Sequence, residues 1–368
     1  MKALPLILCV AILSHAGDYD FDLDAIEVKP YTLSGYLKGE NKLQGLNDDS
    51  PLFHTKNKDS IKTYASEGDV KFAYFQDALK LDSEVMVNYN DIDGAYSDKY
   101  TIAQLFMQYK FDQNNLIEVG KKAPNWGKGY FVNPIAFFDR KKDPNDPDAS
   151  REGYVMANYR YNKSYDGNIR NVSFDLIVMK SNEHMNDEFS QEEQNHVGMK
   201  AYFLAYDTDI DLIYYRRSEQ SDKVGLDFSK NIQTNIEVHG EFAKTLGEDD
   251  YAYLLGFKYL TAFDLTITTE YFYQKNQSSK SEPFYDHQYV MNKFSQKEPF
   301  NWLYGAIYYK NIYNLGDKSM QNSLGATYSF KNNMLLDISY NINDGQRGSE
   351  YGSKLVQDTL WTKLYWYF

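Results

Sequence analysis

The mature part of this sequence has no cysteine. The single one, Cys9, lies inside an N-terminal apolar run, Leu4 to Leu13. This rules out disulfides, zinc–thiolate sites and a cysteine nucleophile in whatever follows that run. Proline is scarce, at 9 residues in 368, which suits a chain built mainly of strand ladders. Past residue 16 no stretch approaches the ~20 apolar residues of a membrane-spanning helix. Mean hydropathy is −0.63. Positive charge is also in deficit: 39 Lys and Arg against 52 Asp and Glu leave a net −13. That balance argues against nucleic acid and against a basic membrane-surface patch.

The N-terminus has secretory character. Lys2, the apolar run and Ser14-His15-Ala16 before Gly17 read as a signal peptide over residues 1–16 with cleavage near Gly17. An acidic stretch, Asp18, Asp20, Asp22 and Asp24, follows at once. Residues 17–29 are expected to form a short lead, and 30–368 the folded body.

What the body has is tyrosine, 34 of them, beside 22 Phe, and alternation almost throughout. Leu81, Val85, Val87 and Tyr89 interleave with Asp82, Glu84, Met86 and Asn88. Val172, Phe174, Leu176 and Val178 interleave with Asn171, Ser173 and Asp175. Ile236, Val238 and Phe242 interleave with Glu237, His239 and Glu241. Leu265, Ile267, Thr269 and Tyr271 interleave with Thr266, Thr268 and Glu270. Leu336, Ile338 and Tyr340 interleave with Asp337 and Ser339. Period two with one apolar and one polar face is strand. The segments run about ten residues, long enough to cross a bilayer when tilted, and a tyrosine-rich apolar face suits an interfacial girdle. A barrel strand shows lipid only every second residue, which reconciles the low hydropathy with a membrane.

Connections alternate in length. Short ones fall at 112–114, 207–208, 230–231, 261–263 and 331–333. Long ones include 41–58, 121–152, 181–194, 275–283 and 343–355. Direct counting gives 17 strands, and an even number is required if both chain ends share one side. A weak strand through Asp286, Gln288, Val290 and Asn292 repairs the parity. It makes 295–301 a short turn and 312–320 a long-side loop. The expectation is an all-β transmembrane antiparallel barrel of about eighteen strands, with sixteen as the alternative.

The final strand, Leu360 to Phe368, carries Leu360, Leu364, Trp366 and Phe368 on one face. It resembles the C-terminal signature of Gram-negative outer-membrane proteins. With the signal peptide and the period-two strands, the whole mature chain resembles the porin class. That resemblance implies an outer-membrane location with lipid around the barrel. It implies the barrel-assembly machinery as a partner, with Leu364, Trp366 and Phe368 as assembly signal. It also implies small hydrophilic solutes passing through a water-filled lumen. A homo-oligomer and a substrate-specific channel stay open, and no cofactor is implied.

The candidate site is the third long connection. Lys121, Lys122, Trp126, Lys128, Tyr130, Arg140, Lys141, Lys142, Asp143 and Arg151 fall here, among the four prolines and three glycines of residues 120–152. In general porins the third outer loop folds inward, and Trp126, Tyr130, Phe131, Phe137 and Phe138 are too apolar for a solvated loop. These charges would then set a constriction. The lumen wall is expected to carry Asp82, Glu84, Asp175, Asp211, Glu237, Glu241, Glu270 and Asp337. Lys71, Lys110, Arg160, Lys200, Lys258, Lys363 and His239 share those faces. Asp143, Asp146 and Asp148 lack the spacing of a calcium loop, and no metal site is expected. Gly127-Lys128-Gly129 follows no strand-to-helix pattern, which excludes a nucleotide loop. A barrel enzyme, phospholipase- or protease-like, would need one of His54, His184, His196, His239 or His287 beside a nucleophile. No serine motif stands beside His239, and a titrating wall is the plainer reading. A structural or adhesive barrel is the remaining alternative.

Overall fold

The alternating segments pair in sequence order, each with the next, and the last returns to the first. The structure is a computed structural model and describes residues 29–53, 58–218, 220–275 and 287–368. The signal peptide, most of the 17–29 lead, His54, Asp286 and most of the 275–283 connection lie outside the described residues, as does the His287 side chain.

Eighteen strands run from β1 (Tyr31–Leu46) to β18 (Val356–Tyr367) among the described residues, with lengths from 8 to 17 residues. Between them lie β2 (Ser60–Gln76), β3 (Leu79–Ile92), β4 (Ala95–Lys110), β5 (Asn115–Lys122), β6 (Tyr154–Ser164), β7 (Ile169–Ser181), β8 (Gln194–Ala205) and β9 (Thr208–Arg217). Next come β10 (Lys223–Gln233), β11 (Ile236–Thr245), β12 (Tyr251–Leu260), β13 (Leu265–Lys275), β14 (His287–Lys297), β15 (Gly305–Asn314), β16 (Met320–Phe330) and β17 (Met334–Asp344). Every pairing is antiparallel. The ring closes through β1 and β18, with Tyr36 opposite Tyr367 and Leu43 opposite Leu360. Gly35 and Phe368 exchange backbone hydrogen bonds at 3.0 and 3.1 Å at this seam. Closure matters because an open sheet edge leaves unpaired backbone groups that hydrocarbon cannot satisfy.

The side-chain period sorts every strand the same way. Leu37, Val85, Val87, Met107, Phe174, Val178, Leu212, Phe242, Leu255 and Ile338 are exposed on the outside, with Leu360, Leu364 and Trp366 on β18. Their neighbours one residue away face inward and are polar or charged: Asp69, Glu84, Glu118, Asn158, Asp175, Asp211, Asp227, Glu241 and Glu270 are all buried. The barrel is therefore apolar outside and charged inside, the reverse of a soluble sheet protein.

Four connections differ from the sequence reading. The turn expected at 295–301 lies at 298–304 and the loop expected at 312–320 at 315–319, because β14 runs on to Lys297 and β15 to Asn314. The turn expected at 230–231 lies at Thr234-Asn235, because a register irregularity between Asn231 and Gln233 lets β10 run on to pair Gln233 with Ile236. The first long connection starts after Leu46 rather than at residue 41, since Asn41 to Gly45 are paired on both sides, with β2 and β18. The weak strand expected around Val290 is β14, paired with β13 and β15. Connections 47–59, 93–94, 123–153, 182–193 and 345–355 share one end of the barrel, and the third of these, 123–153, is by far the longest.

Candidate functional site

Residues 123–153 leave the long-loop end between β5 and β6 and touch strands around the whole ring. Lys128 and Glu241 connect this segment to β9 and β11. Ser150 donates to Glu84 on β3, Asp146 lies 3.5 Å from Lys363 on β18, and Lys310 on β15 donates to the Asn145 carbonyl at 2.5 Å. In the strand order β3 and β11 stand almost opposite each other. A segment bonded to both crosses the lumen.

Its attachment explains the glycine-rich run. Four successive backbone N–H groups, Lys128 to Phe131, point at two wall carboxylates. Lys128 and Gly129 each donate to Glu241 Oε1 at 2.6 Å. Tyr130 and Phe131 donate to Glu270 at 2.5 and 3.0 Å. Asn133 Nδ2 and the Ile135 N–H add bonds to Glu241 at 2.9 and 3.4 Å. Glu241 is 3% exposed and Glu270 0%. Buried carboxylates without such donors would be costly, and consecutive N–H groups are a natural anion cradle. Gly127 permits the approach. Its φ is +106°, and a Cβ there would stand 2.7 Å from Glu241 Oε1.

Apolar contacts reinforce the latch. Trp126, Ile135 and Phe138 pack with Met156, Ile177, Ile213 and Tyr215 of β6, β7 and β9. Phe131 packs with Leu254, Phe272, Met291 and Ile312 of β12 to β15. Gly198 on β8 leaves room for the Phe138 ring, which an added Cβ would overlap. Asp139 folds the loop on itself. It accepts the Asn125 and Trp126 N–H groups at 2.8 and 2.9 Å, while burial pushes its carboxyl up.

The loop charges separate by partner. Lys128 lies 3.4 Å from Asp211, which Lys200 also approaches at 3.6 Å. The Tyr130 hydroxyl donates to Glu237 at 3.0 Å, with Lys258 at 3.4 Å from the same oxygen. His239 is hydrogen-bonded to Glu270 at 2.9 Å. Arg140 is held by Glu152 and Glu188. Lys121 pairs with Glu152, and Lys122 with Glu118. Lys142 donates to the Gly129 carbonyl at 2.6 Å. Its ammonium is pushed down by burial and by Arg151. Arg151 donates to the Arg140 carbonyl and Asn125 Oδ1. Lys141 and Asp143 are exposed. On the walls, Lys71 and Gln104 meet Glu84, Arg160 meets Asp175 at 2.6 Å, and Lys80 meets Asp82. Asp337 accepts from the Tyr308 hydroxyl at 2.9 Å, with Lys363 at 3.8 Å. Lys110 ends β4 at the short-turn rim and is exposed.

Several buried wall groups were not among the sequence candidates: Asp69, Glu118, Asn158 and Asp227. Each sits at inward parity, so applying the alternation to every strand would have found them. A Ser–His contact was missed too. Ser181 Oγ and His196 Nε2 are 2.8 Å apart, and His196 Nδ1 is 3.0 Å from the Tyr215 hydroxyl. Ser181 and His196 are at most 1% exposed, packed under Phe189, so this pair offers no open nucleophile. Among the described residues no group of three His, Cys, Asp or Glu is placed to hold a metal.

Comparison by sequence with protein-family models and with curated proteins gives no match. Comparison of the fold does. Pseudomonas aeruginosa OccK9 (OpdG) superposes with a TM-score of 0.62 at 9% identity, covering 92% of this chain and 98% of that one. Pseudomonas aeruginosa OccK5 (OpdH) gives 0.58 at 9% identity, covering 91% and 98%. A triple mutant of the Rhodopseudomonas blastica porin gives 0.50 at 10% identity, covering 92% and 100%. At these identities the likeness is one of fold.

Proposed function

We propose that this chain is an outer-membrane channel through which small hydrophilic solutes diffuse passively. The observation that carries the reading is a closed eighteen-strand ring that is apolar outside and charged inside, with its third long loop latched across the lumen. An apolar exterior and sealed backbone ladder suit hydrocarbon, and a charged interior suits water and ions. The porin among its fold neighbours supports the same reading. Residues 1–16 serve as export signal, 17–29 as a periplasmic lead, and the outward face of β18 as the surface offered to the assembly machinery. The long-loop end then faces the exterior.

The fixed loop favours the narrower form of this function, a channel selective for particular solutes, because bonds to nearly opposite walls leave little freedom to widen. Reconstitution into planar bilayers tests the proposal. Discrete conductance steps are expected, and a folded, inserted protein that passes no current overturns it.

A further inference from the structure

On the long-loop side of the crossing loop lies a cavity of about 620 Å³ between the loop and the ends of β9 to β13. Eight Lys and Arg line it against two Asp, in a chain whose net charge is −13. Of the two acids, Asp139 is spent on the Asn125 and Trp126 N–H groups. The cations come from two parts of the chain. Lys142 and Arg151 belong to the loop, close enough to repel each other. Arg217 and Lys223 belong to the barrel wall, likewise mutually repelling. Among the described residues none of these four forms an ion pair with a carboxylate. Lys142 and Arg151 donate only to neutral oxygens, and the Lys223 ammonium stands 5.9 Å from the Phe137 ring. The same cavity has an aromatic lining, with the Phe137 and Tyr215 rings 5.7 Å apart and Phe272 among its residues.

We infer that this cavity binds an organic dianion with a ring-like apolar body, one anionic end held by Lys142 and Arg151 and the other by Arg217 and Lys223. The inference rests on the channel reading and names the class of solute that the channel gathers at its mouth. Half-buried cations held together with no carboxylate in ion-pair contact repel one another, and a dianion relieves both pairs at once. The volume fits a small-molecule site, and apolar lining with a few fixed polar groups is the usual make-up of one. Below the cavity the same wall turns acidic, through Glu241 to Asp227 and Asp211. The anion is therefore held at the mouth.

The test is calorimetric titration of the folded barrel in detergent with terephthalate, benzoate and the neutral terephthalamide. Terephthalate is expected to bind, benzoate more weakly, and terephthalamide not measurably. The double variant Arg217→Ala/Lys223→Ala should weaken terephthalate about tenfold, the order for two half-exposed charge contacts. Heat-modifiable gel migration confirms that the variant is folded. No binding of terephthalate, equal binding of the diamide or benzoate, or an unchanged double variant each overturns the inference. Because binding is read without current, the two proposals fail separately. Binding without conductance sinks the channel reading, and conductance without binding sinks this one.

Discussion

Removing the Glu241 carboxylate should unlatch the third loop. In the parent, Glu241 Oε1 accepts the Lys128 and Gly129 N–H groups and Asn133 Nδ2, all within 2.9 Å. In Glu241→Ala the Asn133 amide keeps its bond to the Gly129 carbonyl at 3.1 Å. The Lys128 and Gly129 N–H groups have no replacement, and the long 3.4 Å bond from the Ile135 N–H is lost as well. A buried donor left unsatisfied costs roughly 1–3 kcal/mol, so the docked loop loses about 4 kcal/mol, or about a thousandfold in the docked-to-undocked ratio. Glu241→Gln retains an amide oxygen for the same two donors. It loses charge assistance, about 1 kcal/mol, and the long Ile135 bond to Oε2. The barrel ladders are untouched, so both variants should keep heat-modifiable migration. Single-channel recording is the assay. Glu241→Ala should show a second, larger conductance level with frequent transitions, and Glu241→Gln should stay near the parent. Traces from Glu241→Ala as quiet as the parent would refute the reasoning. Trp126, Phe131, Ile135 and Phe138 would then hold the loop by apolar contact alone.

Neutralising Lys142 and Arg151 together should move the reversal potential in a salt gradient toward cations more than neutralising Arg140 and Lys121, whose charges Glu152 and Glu188 already balance. An equal shift from both pairs would count against the division between balanced and unbalanced loop charge. Gly198→Val should displace the Phe138 ring, which even a bare Cβ overlaps. Raised protease sensitivity within 123–153 is the expected readout, and parent-like resistance would contradict the packing. For pH, Lys142 carries a folded value below its ordinary 10.5 through burial and Arg151. Proton binding at Lys142 thus opposes docking, and stability of the docked loop should rise as pH climbs from the lowered value toward 10.5. Transitions between conductance levels should thin out from pH 7 to pH 10 in the parent, and this trend should vanish in Lys142→Met.

The strands were legible because a barrel wall imposes the same two-residue period on every crossing, and only one face of each can meet lipid. That logic located even β14, whose weak alternation at Gln288, Val290 and Asn292 gains its meaning from the parity of the ring. It misplaced the turn at Thr234-Asn235, because a register irregularity near Asn231 adds a local exception that alternation does not record. The loop was legible in a different sense. Its aromatic content implied burial, but not where. The receptors of its N–H groups, Glu241 and Glu270, lie more than a hundred residues away, and they look like every other inward carboxylate until the fold brings them to one spot.

The arrangement along β9 to β13 carries this argument to the channel's polarity. Along each strand, from the long-loop end inward, β9 presents Arg217, Tyr215, Ile213 and Asp211, β10 Lys223, Gly225 and Asp227, β11 Ala243 and Glu241, and β13 Phe272 and Glu270. The loop packs on the apolar residues and spends its backbone donors on Glu241 and Glu270, while Lys128 reaches Asp211. Its cations Arg140, Lys141, Lys142 and Arg151 line the cavity on the long-loop side. Charge is thus sorted along the barrel axis on this wall, and the crossing loop is the boundary. A field directed along the axis attracts anions to one side and cations to the other. It acts most strongly where water is thinnest, beside the loop. An acidic chain can therefore present a basic mouth, and removal of the boundary, as in Glu241→Ala, should weaken anion capture even though every cation lining the cavity is still present.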